Sequence, residues 1–535
     1  MAQLVSRAHD VWSGSLDLPL LKLSSADLVT VRDACENVLI LGGIGSGKTS
    51  GPGRSIRRAM MRAGAGLLVL INKPDEVEAT LDDARATGRM GSVLCVDGRH
   101  GFNFIEHELR RHGLDGVNTV VEFLMRVLEI IRIAMPGGGR QGEAFWENAL
   151  RQLLRMVVPI LYAAYGTVRI SDIIRFVHSA PTSSDELDSE AWQQRSFMCE
   201  AVLLAARRPV HPLDPEAMKR IVAYFRDEFA RQDVKLRSSI TSTLSTSLDR
   251  FCHGRLARLF TEETSFAPEL TLNGAILILN LPVLEWNEDG VIAQQIIKYA
   301  WQRVMLSRNA LPPAYRDRLV GCYVDEAQAF INSFDREFLS LSRSSRCSSI
   351  FITQSIPSVI STIGGDNPKH QADALFAQFG TKVFCNNSCP ETNRFAAETV
   401  GRVLHRRASF SESESSGRSG GLNMGEGSNF STNSGVSVSP DGKGGFNTSV
   451  SSGNSSGYNE STGRNRGFTT GESVSRSVAE TMDNEIEPGE FARSLMTGGP
   501  PNGGVVSCVW FQAGRRFAAT SRPWLVASFR QSSAS

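Results

Sequence analysis

The sequence predicts an α/β fold: a mostly parallel sheet covered by helices, interrupted by an all-α insertion and by a Ser/Gly-rich low-complexity excursion. Three observations carry this. Short apolar runs alternate with helical stretches near the start and again after about residue 260. The apolar period becomes helical from about 106 to 260, and Ser, Gly and Asn dominate 408–477. In order, Val38–Leu41, Leu67–Ile71 and Ser92–Asp97 read as buried strands, with Arg54–Arg62 as a helix between the first two. In the insertion, Val120, Phe123, Leu124, Val127, Leu128 and Ile131 recur at helical spacing, as do Ala149, Leu153, Met156, Val157 and Ile160; both stripes read as bundle core. Strands return at Ala275–Leu281, Leu319–Asp325, Ile350–Gln354 and Lys382–Cys385. The stretch 408–477 has too little apolar surface to offset its ordering entropy and is expected to be flexible; polar hairpins with Gly turns are the alternative, from the alternation at Ser409–Ser413 and Val436–Ser439. The organisation expected is a sheet domain in three parts (1–105, 261–407 and 478–535), the all-α insertion 106–260 and the excursion 408–477.

The run Gly42-Gly43-Ile44-Gly45-Ser46-Gly47-Lys48-Thr49 fits G-x-x-x-x-G-K-[ST], the phosphate-binding loop of P-loop NTPases. A strand, a glycine-rich turn and a helix N-terminus aim several backbone N–H groups at one point, where the helix dipole also favours negative charge. These residues, with Ser50, are expected to hold ATP; Lys48 would reach the β- and γ-phosphates and Thr49 would place its hydroxyl on Mg²⁺. Pro52 lacks the N–H that continues a helix ladder, so Gly51-Pro52-Gly53 predicts a kinked start. Downstream, an apolar run ending in Asp325-Glu326 has the form of a Walker B strand, with Asp325 holding Mg²⁺ through water and Glu326 orienting or deprotonating the attacking water. The strand ending in Gln354 suits a γ-phosphate sensor. In a parallel sheet Thr49, Asn72 and Asp325 would share the carboxyl edge, where ligands bind.

With a net charge of +1, the whole chain carries no electrostatic footprint for nucleic acid, so any such contact must come from local clusters such as Arg57-Arg58, Arg110-Arg111, Arg207-Arg208 and Arg406-Arg407. The cysteines are scattered; the close pair Cys385 and Cys389 lacks the partners of a zinc pattern, and a reducing cytoplasm fits. No apolar run approaches the roughly 20 residues a membrane span needs, so no direct membrane insertion is expected.

Taken in order, these motifs resemble the TraG/TraD-type conjugative coupling ATPases of type IV secretion, within the HerA/FtsK class of ring-forming motors. Besides the loop and Val324-Asp325-Glu326, Phe102-Asn103-Phe104-Ile105 sits where the family has an aromatic-Asn segment, and Phe145-Trp146-Glu147-Asn148-Ala149 is similar to the motif opening a helix of its all-α domain. Ser342-Arg343-Ser344-Ser345-Arg346, Thr353-Gln354-Ser355, Glu391-Thr392-Asn393 and Gly401 match later motifs. The resemblance covers roughly 25–407 and 482–530 and implies a RecA-like P-loop NTPase sheet. It also implies an ATPase using ATP and Mg²⁺, assembled as a homo-oligomer, by analogy a hexamer. Arg343 or Arg346 would complete a neighbour's site, and the cargo would be DNA bound non-specifically, with a relaxase or other protein as a further cargo. Without a membrane anchor it would be a soluble, cytoplasmic variant. The competing expectation is an ATP-switched soluble adaptor in a DNA-processing or phage-defence system, recruiting proteins without translocation.

Overall fold

The computed structural model describes residue 12 and residues 14–134, 144–261, 263–364, 367–421, 429–440, 446–457 and 465–531. A short hairpin, β1 (Pro19–Lys22) with β2 (Leu28–Thr30), precedes β3 (Val38–Leu41). Then come β4 (Gly66–Leu70), β5 (Val93–Asp97), β6 (Ile276–Asn280), β7 (Val320–Val324), β8 (Cys347–Thr353) and β9 (Thr381–Phe384). After the excursion follow β14 (Val505–Gln512) and β15 (Trp524–Arg530), which close a nine-stranded sheet of order β15-β14-β9-β3-β8-β7-β4-β6-β5. From β9 to β5 the strands are parallel; β14 and β15 add an antiparallel edge. Every residue of β3, β4, β7, β8 and β9 is buried, as expected of parallel strands covered on both faces.

Between β5 and β6 every described element is helical. Asn103 accepts from the Glu106 N–H at 3.0 Å to cap the first helix, Phe104–His112, and its amide donates to the Val168 carbonyl at 3.3 Å, so the aromatic-Asn segment is a joint between helices. Val120, Phe123, Leu124, Val127 and Ile131 are buried as expected, whereas Leu128 lies at a groove wall.

One helix, Glu288–Ser307, carries a buried polar stripe: Gln294, Lys298 and Gln302 recur every four residues and face one way. Gln294 pairs with both backbone groups of Ile71, at 2.7 and 2.8 Å. The Lys298 ammonium meets Asp335 at 2.6 Å and the Phe330 carbonyl at 2.6 Å, and Gln302 donates to Asp335 at 2.7 Å. Both ions are fully buried. The same helix reaches the helical segment through Arg303, 3.1 Å from Glu108; Arg111 lies 3.0 Å from the same carboxylate.

Over residues 402–484 the described backbone takes the hairpin alternative. Residues Asn393–Arg493 form a compact unit of their own. In it β10 (Arg402–Gly421), β11 (Asn429–Pro440), β12 (Phe446–Gly457) and β13 (Asn465–Asn484) make an antiparallel sheet of order β10-β13-β12-β11, the hairpin alternative. Val436 lies opposite Val450, Val450 opposite Arg476, and Arg476 opposite Phe410, so even-numbered residues pair with even-numbered ones across all four strands.

Two outcomes follow from the buried charges. Lys298→Met leaves the Asp335 carboxylate buried without its cation and should lower unfolding free energy by about 3–5 kcal/mol in denaturant titrations. Burial alone would raise the Glu108 pKa, but His107, Arg303 and Arg111 together pull it down to about 2. Its contribution is therefore complete above the unfolded value of about 4.3 and lost as pH falls toward 2; Glu108→Gln should flatten the stability profile across that window.

Candidate functional site

The predicted loop leaves β3 at the carboxyl edge of the sheet. Its start is pinned on both sides: the Gly42 N–H donates to the Thr353 carbonyl at 3.3 Å and the Gly43 N–H to the Asn386 carbonyl at 2.9 Å. Gly47 has a φ of +77°, and a Cβ there would lie 2.3 Å from the Val506 side chain, so both backbone shape and the packing of β14 demand glycine. Ile44 at the tip is exposed, while Lys48 is buried. Beyond Thr49 the ladder slips to a wider turn: the Gly53 N–H reaches back five residues to the Lys48 carbonyl at 3.0 Å. Pro52 has no N–H for the ordinary ladder, and a π-turn at Thr49–Gly53 takes the place of the kink expected before the helix Arg54–Arg62.

A cavity of about 260 Å³ opens at the loop, lined by Gly45 to Ser50 and by Arg54, Arg57, Glu76 and Ala79. In it the Ser46 hydroxyl is buried without a hydrogen-bond partner, a donor available to an anion. Ser50 Oγ accepts from Gln531 Nε2 at 2.7 Å, which ties the C-terminal segment to the loop.

Register delivers the acids. β4 pairs with β7 at Leu70 and Val324, so the residues after these two strands come level; β7 pairs with β8 at Val324 and Phe351, and β8 runs two residues further, to Thr353. Thr49 Oγ1 donates to Asp325 Oδ2 at 2.7 Å. Asp325 Oδ1 accepts the Glu326 N–H at 2.9 Å. Burial pushes the Asp325 pKa up. A hydroxyl and a buried carboxylate in contact form an oxygen pair suited to a hard divalent cation.

Glu326 has a φ of +49°, rare for a residue with a side chain, and a strain of order 1–3 kcal/mol. Its carboxylate accepts from Gln354 Nε2 at 2.9 and 3.0 Å and from Gln328 Nε2 at 2.7 Å. Thr353 Oγ1 donates to Gln328 Oε1 at 2.7 Å and so fixes that amide. The Lys48 and Lys73 ammonium groups each lie 3.9 Å from Glu326 Oε1. Burial alone would raise the Glu326 pKa, but the two amides and the two lysines outweigh it and hold the group below its ordinary value, as an anion.

The loop, Asp325, Glu326 and Gln354 thus converge. Arg343 and Arg346 do not. They precede β8 and lie at its amino end, away from the loop. Arg346 is spent on the carbonyls of Gly14 and Asp317, at 2.8 and 2.9 Å; Arg343 is exposed and pairs with Glu36 at 2.9 Å. The arginine pairs also divide. Arg57 and Arg58, with Arg54, enclose the fully buried Asp83, each at 2.6 Å. Arg110 and Arg111 pair with Glu106 and Glu108, whereas Arg207 and Arg208 are exposed.

Sequence reasoning missed Gln328, Lys73 and Glu76. Gln328 carries no motif. Lys73 and Glu76 follow a strand whose Asn72 was already placed on this edge. Glu76 accepts the Asn72 N–H at 2.9 Å, and burial and nearby Asp325 push its pKa up to about 7.

Residues 319–440 match the family model described as the TraM recognition site of TraD and TraG. No curated protein matches the chain in sequence. Among solved structures, the chain is similar to the bacterial conjugative coupling protein TrwBdeltaN70, unbound, with a TM-score of 0.53 and 14% identity over 98% of this chain and 92% of that one. TrwB with the ATP analogue ADPNP gives 0.52 at 14% identity over 98% and 93%, and TrwB with ADP and Mg²⁺ gives 0.52 at 12% over 98% and 92%. The sheet and its helical insertion are therefore those of a RecA-like P-loop fold. Residues 319–440, which hold Asp325, Glu326 and Gln354, are thus similar to a segment of TraD and TraG, and the fold of the chain is similar to that of the conjugative coupling protein TrwB.

Proposed function

We propose that this chain binds ATP with Mg²⁺ at the loop Gly42–Ser50 and hydrolyses it, as a coupling-type motor that assembles in rings and moves or recruits DNA. The observation that carries the reading is the Glu326 carboxylate, held as an anion by Gln354 and Gln328 beside the Thr49–Asp325 pair.

In this reading the loop N–H groups and Lys48 hold the phosphates, and Ser46 finds the acceptor it lacks. Thr49 and Asp325 hold Mg²⁺, which supplies charge neutralisation at the phosphates. Glu326 orients a water and takes its proton. The water oxygen bonds to the γ-phosphorus, the bond to the β,γ-bridging oxygen breaks with its electron pair on ADP, and phosphate leaves. Gln354 holds Glu326 in place and changes partner when the γ-phosphate departs.

Arg343 suits action in trans: it is exposed and far from its own loop. Arg346 is bound to backbone and has no such freedom. DNA is the favoured cargo, with contacts from exposed arginines such as Arg207 and Arg208. A relaxase or other protein cargo remains compatible with a family segment described as a recognition site.

Glu326→Gln should retain ATP binding and lose hydrolysis by about 10²–10⁴-fold, the usual contribution of a general base. Lys48→Ala should lose tight binding itself. Steady-state ATPase rates alongside equilibrium nucleotide titration separate the two; hydrolysis by Glu326→Gln at the wild-type rate would overturn the assignment.

Assembled with the ATP analogue, the protein should bind single- or double-stranded DNA without sequence preference. Affinity should fall by about 10³-fold or more between 50 and 200 mM salt if six or more phosphates are contacted. Filter binding across salt checks it. Absence of binding at low salt would favour the adaptor, which recruits proteins without translocation.

A further inference from the structure

We infer that Lys73 binds the terminal phosphate of a nucleoside triphosphate in the same subunit's site, leaving Glu326 when that phosphate arrives and so distinguishing ATP from ADP. This rests on the nucleotide site proposed above and adds to it a second lysine, in the segment after β4 rather than in the loop after β3.

The backbone around Lys73 is held unusually firmly for a loop. Gln294 takes both the N–H and the carbonyl of Ile71, at 2.7 and 2.8 Å. Glu76 accepts the Asn72 N–H at 2.9 Å, the Val283 N–H donates to the Asn72 carbonyl at 3.1 Å, and the Glu76 N–H donates to the Lys73 carbonyl at 3.2 Å. The side chain is the opposite: 52% exposed, with one ion pair, to Glu326 Oε1 at 3.9 Å. That distance is beyond a hydrogen bond, and a half-exposed pair of this kind is weak. A fixed base thus carries a mobile ammonium that gives up little by leaving its carboxylate.

The sheet order says which phosphate it can meet. Along β3, β8, β7 and β4 the carboxyl ends carry the loop, Gln354, the acids and Lys73 in turn. Glu326 is therefore flanked by Gln354 on the loop side and by Lys73 on the far side. In-line attack puts the water that Glu326 activates on the side of the γ-phosphorus away from ADP. A cation on the side of Glu326 away from the loop approaches the terminal phosphate first, before the α- and β-phosphates cradled by the loop. The terminal phosphate carries more negative charge than a carboxylate, so the ammonium exchanges a weak partner for a stronger one. Removing the phosphate as product returns Lys73 to Glu326.

The test compares full-length wild type, Lys73→Met, Lys73→Gln and Lys73→Arg by calorimetric titration with the β,γ-imido analogue of ATP and with ADP, each with Mg²⁺. Losing one charged phosphate contact should weaken the analogue by ~10-fold or more in Lys73→Met and Lys73→Gln, with ADP affinity unchanged and Lys73→Arg near wild type. Melting temperatures should match, since the side chain is half exposed and its ion pair to Glu326, at 3.9 Å, is weak. Unchanged analogue affinity, or an equal loss for analogue and ADP, would overturn the role of Lys73 and leave the site standing. Wild type binding neither nucleotide would instead remove the site, and Lys73 with it.

Discussion

Lys298 buries its ammonium against Asp335, and the placement of the site depends on that contact. An ion pair with both members fully buried gains less from attraction than it loses in desolvation unless every remaining donor and acceptor is met. Here they are met: Phe330 and Asp335 take the ammonium, and Gln302 and the Asn332 N–H complete the carboxylate. The result fixes the segment that follows Glu326. One turn back along the same helix, Gln294 fixes Ile71 and the segment that follows β4. A single stripe of polar side chains therefore sets the relative height of two strand ends, and with it the distance between Lys73 and Glu326.

On that foundation the site balances charge at close quarters. Asp325 is buried and its pKa rises; Glu326, one residue on, is drawn the other way by two amides and two lysines. Adjacent carboxylates with environments this different can take different work, one holding a cation and one accepting a proton. The left-handed backbone at Glu326 turns its carboxylate off the strand axis toward Gln354 and Gln328, and their hydrogen bonds offset the strain of that turn. Gln354 was legible as a polar residue ending a strand. Gln328 was not, because its part comes from a 2.7 Å contact with Thr353 on the neighbouring strand.

The arginines and the excursion show where local reading stops. Arg343 and Arg346 have the same sequence setting, three residues apart, yet one is exposed and the other is consumed by the carbonyls of Gly14 and Asp317. The Gly14 contact spans more than half the chain and leaves no trace near position 346. Arg57 and Arg58 look like a basic surface pair; the buried carboxylate of Asp83, on the next helix, draws them and Arg54 inward. In residues 402–484 the alternation was present in the sequence, but the order of the four strands and their antiparallel register were not.

By itself the sequence determined the parallel strands, the phosphate-loop pattern and the acids after β7, because these depend on neighbours within a few residues: an apolar run, a glycine at a positive φ, a carboxylate at a strand end. It also carried the helical period of residues 106–260. Tertiary structure decided what those pieces face. The Thr49–Asp325 contact, the second lysine at Glu326, the π-turn set among Val506 and Ile352, and the polar stripe on Glu288–Ser307 all join residues far apart in the chain. Their energies come from burial and from the pairing of buried polar groups, which exist only once the sheet has closed.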